Sequence, residues 1–221
     1  MNEEKVSARG GDRADPGDGE EFDASRAAII LQETRERALR ELRASYPMLF
    51  AVWGLVLFVG YGLIWLSVRD QHPYSGPAPW SLLVLTLLLA VGGVTTVITI
   101  GRAATGVGGV SVATRRIHLL ALALAYVGVF TLEGALAHDG ASNSLLSAYG
   151  AVAPMLVTGV VYATSPAIWH DWSTRVLGVW LVVVAAGSAY AGPVGVWAVA
   201  GLAAGAGFLI LAGVRRARDR A

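Results

Sequence analysis

The chain has 221 residues, of which 55% are apolar and only 15% are charged, and its mean hydropathy is +0.56. A soluble domain of this size usually carries about a quarter charged residues, so the composition argues against a water-soluble globular protein. The formal net charge is +1. The chain contains no cysteine, which excludes disulfides, thiolate metal ligands and thiol catalysis.

Residues 1–23 contain eight acidic and three basic side chains and almost no apolar ones. Such a segment cannot bury enough apolar surface to offset the entropy lost on folding, so we predict a disordered acidic tail. No apolar stretch follows its basic residues, and it therefore does not have the pattern of a cleavable signal peptide.

Residues 24–46 are predicted to form a cytoplasmic juxtamembrane helix. Glu33 and Arg37 form a pair four residues apart in the favourable order. A narrow apolar stripe recurs at helical spacing, at Leu31, Ala38 and Leu42. Two interpretations stay open: a solvated helix that leads into the membrane, or an amphipathic helix that binds the bilayer or a protein partner.

The segment 47–214 is predicted to be an all-α, polytopic transmembrane domain of six helices. Its apolar blocks each approach the roughly 20 residues that cross a hydrocarbon core of about 30 Å. Because backbone groups in lipid must be satisfied within the segment, each block is predicted to be a helix. The blocks lie near 47–67, 80–101, 117–137, 145–165, 174–191 and 193–214.

The basic residues predict the orientation of these six spans. Sixteen of the seventeen Lys and Arg residues lie in the two termini or in the second and fourth connections, and Arg69 alone lies on the opposite side. By the positive-inside rule both termini are predicted to be cytoplasmic, with 215–221 forming a basic cytoplasmic tail. The Arg-, Ala- and Gly-rich composition suggests a high-GC bacterial genome, so we expect the bacterial plasma (inner) membrane.

Glu133 is the acidic residue that stands out within an apolar block, in the stretch "YVGVFTLEGALAHDG". An ionisable residue at membrane depth is a functional hypothesis by default, and burial disfavours a charged carboxylate, so a proton-binding site is one interpretation. The other is that Glu133 reaches water, because it lies about 24 Å along the helix from Ile117 and so near the outer surface. Tyr126 and His118 share its face and complete the candidate polar membrane site.

A second candidate is the string "WHDW" in the fourth connection, where His170 and Asp171 are expected to face the cytoplasm. Adjacent residues on a helix point in different directions and do not make a ready two-ligand metal site. We therefore predict at most a contact with a cytoplasmic partner. No metal site, cofactor, nucleic-acid module or catalytic constellation is predicted, and the Gly-rich segment 102–116 lacks the Gly-Lys-Ser/Thr ending of a phosphate-binding loop.

The stretches "YPMLFAVWGLVLFVGYGLIWLS" and "GVVYATSPAIWHDWSTRVLGVWLVVVAAGSAYAGPVGVWAVAGLAAGAGFLILAG" carry a resemblance over residues 27–214. The chain resembles a group of actinobacterial six-helix membrane proteins that are sometimes catalogued as transporter-like. It is also similar, more weakly, to permease subunits of ABC-2-type exporters. Those usually carry a substantial outer segment between the last two spans, where this chain has only "AGP".

The function expected from this architecture is a non-enzymatic transport or permease-like role for a small or lipophilic solute, in the lipid bilayer and with a possible homo-oligomer. The alternative is a membrane scaffold or sensor that acts on a cytoplasmic protein through the 24–46 helix and the cytoplasmic loops. The spacing of Gly201 and Gly205 predicts close helix packing, either within the chain or between protomers.

Overall fold

The computed structural model describes residues 17–103, 110–164 and 172–218. Over these ranges the chain is helical and contains no strand, which confirms the all-α prediction. A 3₁₀ turn at Ala189–Ala191 joins the fifth helix to the sixth. The helices are α1 (Gly17–Val68), α2 (Pro79–Ala103), α3 (Val110–His138), α4 (Asn143–Thr164), α5 (Trp172–Ser188) and α6 (Gly192–Arg218).

Five stretches of the described helices are long and apolar enough to cross a membrane. The fifth stretch contains both α5 and α6, because only the short 3₁₀ turn separates them. The chain is therefore a helical protein with several membrane-length apolar segments. These are Tyr46–Val68, Pro79–Thr99, Leu119–His138, Asn143–Thr164 and Trp172–Arg218.

Helix α1 is one continuous element of 52 residues with Pro47 inside it. It begins within the segment predicted as a tail, and it joins the predicted juxtamembrane helix to the first apolar block. A proline inside a helix removes one backbone hydrogen bond and crowds the preceding turn. The helix nevertheless continues through Pro47, since good helix formers precede it and an apolar block follows. The chain divides into two compact units, Met1–Arg37 and Ala38–Ala221.

The core of the second unit is built by α4, α5, α6 and the apolar part of α1. In lipid the apolar surface of a helix is already out of water, so the hydrophobic effect does not drive helices together. Close van der Waals packing must therefore hold these helices together. The apolar side chains that are fully or almost fully buried are Ile64 and Val68 of α1, Ala151 of α4, Leu181 and Ala185 of α5, and Val196, Ala200 and Ala204 of α6.

Three glycine positions bring helices close together in this core. A Cβ at Gly178 on α5 would lie 2.3 Å from the backbone N of Ala163 and 2.7 Å from the carbonyl O of Gly159, both on α4. A Cβ at Gly205 on α6 would lie 3.0 Å from the carbonyl O of Gly54 on α1. A Cβ at Gly201 on α6 would lie 2.6 Å from the Cβ of Tyr61 on α1. The small residues of α6 therefore serve packing within the chain.

Helices α2 and α3 lie at the periphery of this unit. Only 6% of the apolar window of each is buried. Helix α2 contacts α1 through a hydrogen bond from Nε1 of Trp53 to Oγ1 of Thr96 at 3.0 Å, and through Ser67 and Ser81, whose Oγ atoms are 3.2 Å apart. Helix α3 contacts α4. Most of the surface of both helices is therefore available to lipid.

Helices α5 and α6 form an antiparallel hairpin. Nε1 of Trp180, in the middle of α5, donates to the carbonyl O of Ala203 at 2.9 Å, and Nη2 of Arg215, near the end of α6, donates to Oγ1 of Thr174 in the first turn of α5 at 2.8 Å. Gly192, which follows the 3₁₀ turn, has φ +74°, a conformation that glycine adopts readily. The chain therefore reverses direction between the two helices.

Candidate functional site

The candidate site is the contact between α3 and α4, which we call the α3–α4 seam. Its two sides run antiparallel, since the far end of α3 meets the first half of α4. The seam carries more polar side chains than the apolar core of the unit. It consists of Tyr126, Val129 and Glu133 of α3 and of Tyr149, Gly150, Pro154 and Thr158 of α4.

Glu133 is half-buried and its carboxyl group lies against α4. The contact depends on the absence of a side chain at Gly150, because a Cβ there would be 2.7 Å from Oε1 of Glu133. Glu133 lies five residues before His138, the last residue of this apolar segment, or about 7.5 Å along the helix axis. The carboxylate is therefore inside the apolar segment, near one end, with a backbone surface beside it.

Pro154 changes the backbone next to this carboxylate. Because a proline has no N–H, the carbonyl four residues earlier, that of Gly150, loses its normal helical donor. The carbonyl of Pro154 itself accepts hydrogen bonds from Oγ1 of Thr158 at 2.9 Å and from the hydroxyl of Tyr126 at 3.4 Å. Glycine and proline thus leave α4 with an accessible polar backbone on the face that meets α3.

Tyr126 lies seven residues before Glu133, about 10 Å away along the helix axis. Its hydroxyl forms a hydrogen bond of 2.5 Å with Oγ1 of Thr158. Because both groups are hydroxyls, either oxygen can be the donor. Its ring stacks on that of Phe130 with centroids 6.1 Å apart, and Phe130 is more than half exposed. The structure therefore brings Tyr126 and Glu133 to the same seam, and the aromatic pair of Tyr126 and Phe130 extends from the seam to the exposed surface of α3.

The first half of α4 is held by hydrogen bonds to α3 and to the connection between α1 and α2. The hydroxyl of Tyr149 donates to the carbonyl of Val129 across the seam at 3.2 Å. Tyr74 of the connection forms a short hydrogen bond with buried Ser147 of α4. Nδ2 of Asn143 donates to the carbonyl of Ser75 at 2.9 Å. These contacts fix the first turns of α4, and Gly150 lies directly after those turns.

The remaining predicted site residues are not brought into this seam by any described contact. His118 lies on α3, fifteen residues before Glu133, and its side chain is outside the described part of the structure. His170 and Asp171 lie outside the described residues altogether. Among the residues that the structure describes, no three His, Cys, Asp or Glu side chains cluster closely enough to hold a metal ion.

Sequence reasoning did not identify the α4 half of the seam. Gly150, Pro154 and Thr158 are separated by four residues each, so they lie on one face of a helix. The sequence feature that could have pointed to this half of the seam is the proline in the middle of an apolar block. A proline leaves one backbone carbonyl of its helix without the usual N–H donor. The sequence alone does not say which other helix faces that position.

Comparison of the chain with protein-family models, with curated proteins and with solved structures finds no match. The site must therefore be interpreted from its own chemistry. A carboxylate inside an apolar segment attracts a proton or a cation, and aromatic ring faces attract cations as well. The hydroxyls of Tyr126 and Thr158 and the carbonyl of Pro154 supply further oxygen atoms elsewhere in the seam.

Proposed function

We propose that the chain is a six-span protein of the bacterial inner membrane, with both termini in the cytoplasm, that acts as a permease for a small lipophilic solute. The observation that supports this function best is the Glu133 carboxylate at the α3–α4 seam. An acidic side chain at membrane depth is costly, and residues of this kind mark ligand sites or ion pathways. The resemblance of residues 27–214 to actinobacterial six-helix membrane proteins is part of the same proposal.

The count of six spans is supported by the reversal of the chain between α5 and α6. A single 47-residue span is incompatible with the contacts of Thr174 with Arg215 and of Trp180 with Ala203, which require two antiparallel helices. Helix α5 has 17 residues, which extend about 26 Å, close to the thickness of a hydrocarbon core.

The placement of both termini on one side is supported by the contact between α1 and α6. The guanidinium of Arg215 lies 5.4 Å from the ring centroid of Tyr46 and 4.8 Å from that of Phe50. The first turns of the apolar part of α1 and the last turns of α6 are therefore at the same end of the second unit. The excess of Arg and Lys in both termini assigns that end to the cytoplasm.

The chemistry of the seam favours a solute that carries a positive charge on an apolar body. Glu133 supplies the opposite charge, Tyr126 and Phe130 supply aromatic faces, and the exposed part of Phe130 opens the site to the bilayer. Competition between a proton and such a cation for one carboxylate would couple transport of the solute to a pH gradient.

The test is uptake of ethidium, a lipophilic cation, into phosphatidylcholine–phosphatidylglycerol liposomes under an imposed pH gradient. Liposomes containing the wild-type protein should take up ethidium faster than protein-free liposomes, and Glu133→Gln should remove that difference. The matched control is Asp139→Asn, which neutralises a nearby exposed carboxylate outside the apolar segment. Equal uptake by wild type and Glu133→Gln would refute the role of this carboxylate.

A second candidate function, a scaffold or sensor for a cytoplasmic partner, is favoured by a different observation. Ile29 and Ile30, in the Met1–Arg37 unit, are 56% and 58% exposed. Adjacent exposed isoleucines on a charged helix offer an apolar contact for a partner. Under this alternative, replacing both by Ser in the full-length protein removes a crosslinked partner from membranes while ethidium uptake stays at the protein-free level. Uptake together with unchanged crosslinking would favour the permease.

A further inference from the structure

An apolar groove lies between α1 and α6, on the surface of the second unit. It has a volume of about 340 Å³ and is lined mainly by Phe58, Gly62, Trp65 and Leu66 of α1 and by Ala198 and Leu202 of α6. Leu66 and Leu202 are 46% and 56% exposed, so the groove is open to the surroundings of the helices. In a membrane those surroundings are lipid.

A positively charged side chain lies at one end of this groove. Arg69 directly follows the last residue of α1, and its guanidinium lies 5.8 Å from the ring centroid of Trp65, which also lines the groove. A tryptophan and an arginine at the end of an apolar helix mark the level of the lipid headgroups. The groove therefore runs from the headgroup level into the hydrocarbon region.

Among the described residues, the guanidinium is paired through an exposed contact. Nε of Arg69 donates to Oδ2 of Asp70 at 3.0 Å, and the two side chains are 48% and 83% exposed. Solvent screens such a pair, and it contributes little to stability. The pair can therefore open, or share the guanidinium with a phosphate, at small cost.

We propose that this groove holds one acyl chain of an anionic phospholipid and that the Arg69 guanidinium binds the phosphate of that lipid. Arginine offers several N–H donors in a plane that matches a phosphate group. The apolar lining accepts the acyl chain, and Gly62 provides the depth, because a Cβ there would meet no atom within 4 Å. This binding site is independent of the permease proposal.

A second copy of the chain is a poorer occupant of the groove. From Phe58 to Leu66 the lining spans nine residues of α1, or about 12 Å from first to last, less than half of a hydrocarbon core of about 30 Å. A stable protein interface buries about 1,200–2,000 Å² in total, which is far more than so short a groove contributes. The glycines of α6 that could serve a dimer are already in contact with α1.

The experiment is native mass spectrometry of the full-length protein released from nanodiscs that contain equal amounts of phosphatidylglycerol and phosphatidylcholine. The wild type should retain one phospholipid, with phosphatidylglycerol preferred. Arg69→Gln should retain a lipid but lower the preference about fivefold, the equivalent of about 1 kcal/mol for one basic residue at an anionic headgroup. Arg216→Gln, at an exposed residue of α6, is the charge-matched control and should leave the preference unchanged.

A second variant tests the groove itself. Gly62→Leu places a side chain in the groove at a position where its Cβ would meet no atom within 4 Å, and it should abolish retention of the lipid, whereas Gly128→Leu, at an equally open position on α3, should not. Circular dichroism checks that both variants keep their helix content. Retention by Gly62→Leu at the wild-type level, or an unchanged preference in Arg69→Gln, would overturn the proposal. So would a wild-type dimer that Gly62→Leu converts to monomer, since the groove would then hold a second copy.

Discussion

Nη2 of Arg215, near the end of α6, donates a hydrogen bond of 2.8 Å to Oγ1 of Thr174, a fully buried residue in the first turn of α5. The same guanidinium lies over the rings of Tyr46 and Phe50 of α1. One cation therefore connects three helices at the end of the unit that we assign to the cytoplasm. In addition to any role in topology, Arg215 has a packing role.

The first prediction concerns this contact. Thr174→Val keeps the shape of the side chain but removes the acceptor, and it should lower the free energy of unfolding by about 1–2 kcal/mol, because the bond is charge-assisted and partly buried. Equilibrium unfolding in mixed micelles of dodecylmaltoside and SDS measures the change. Thr164→Val is the control, since Thr164 is exposed and its hydroxyl bonds only the Val160 carbonyl of its own helix. Equal stabilities of the two variants would contradict the prediction.

The second prediction concerns the contact of α4 with α5. Gly178→Ala should lower the free energy of unfolding by about 1–3 kcal/mol, because the new methyl group would overlap backbone atoms of Ala163 and Gly159 that cannot rotate away. The same unfolding titration in mixed micelles measures this change in the free energy of unfolding. Gly187→Ala on the same helix meets no atom within 4 Å and should leave the stability unchanged or raise it. A Gly178→Ala variant as stable as Gly187→Ala would show that the helices are not in such close contact.

The third prediction concerns the position of the Glu133 carboxylate. In Gly150→Ala the new methyl group meets the end of a flexible side chain, so the carboxylate should move away from α4 while the helices stay in place. We expect reduced ethidium uptake in liposomes, in the same direction as Glu133→Gln, with a nearly unchanged free energy of unfolding. Gly134→Ala is adjacent to Glu133, has open space around it and should transport like the wild type. Wild-type uptake by Gly150→Ala would mean that the contact with α4 is irrelevant to transport.

The fourth prediction concerns the attachment of α2. Thr96→Val removes the acceptor of the Trp53 indole N–H and should lower the free energy of unfolding by about 0.6 kcal/mol, the average for hydrogen bonds between membrane helices, and by no more than about 1.7 kcal/mol. Thr86→Val is the control, because the exposed Thr86 bonds only the carbonyl of Leu82 in its own helix. If Thr96→Val is no less stable than Thr86→Val, the bond does not hold α2 to α1.

The helical character of the apolar blocks could be predicted from the sequence because lipid permits few other backbone structures. The position of Glu133 near the end of its apolar segment could also be predicted, by counting residues along α3. The continuity of α1 through Pro47 could not be predicted from the sequence. A proline can stand at the start of a helix or within a bent one, and the residue alone does not distinguish the two. The count of six spans and the transport function stay predictions.

The partners of the helices could not be predicted either. A helix in lipid is apolar on all sides, so hydrophobic periodicity does not distinguish a face that meets α4 from one that meets lipid. That is why Gly150 and Thr158 were missed and why Gly201 and Gly205 left two interpretations open. The contacts of Arg215 with Tyr46 and Phe50 join residues more than 160 positions apart, and no local pattern links them.

The peripheral position of α2 and α3 has a consequence for how this protein can change during evolution. A residue of α2 that faces lipid needs only to be apolar, so exchanges among Leu, Val and Ile along that helix should accumulate almost without cost. Residues at helix contacts, such as Gly178 on α5, have no such freedom. Sequences descended from this one should therefore diverge fastest in α2 and in the outer face of α3, and slowest where α4, α5 and α6 meet.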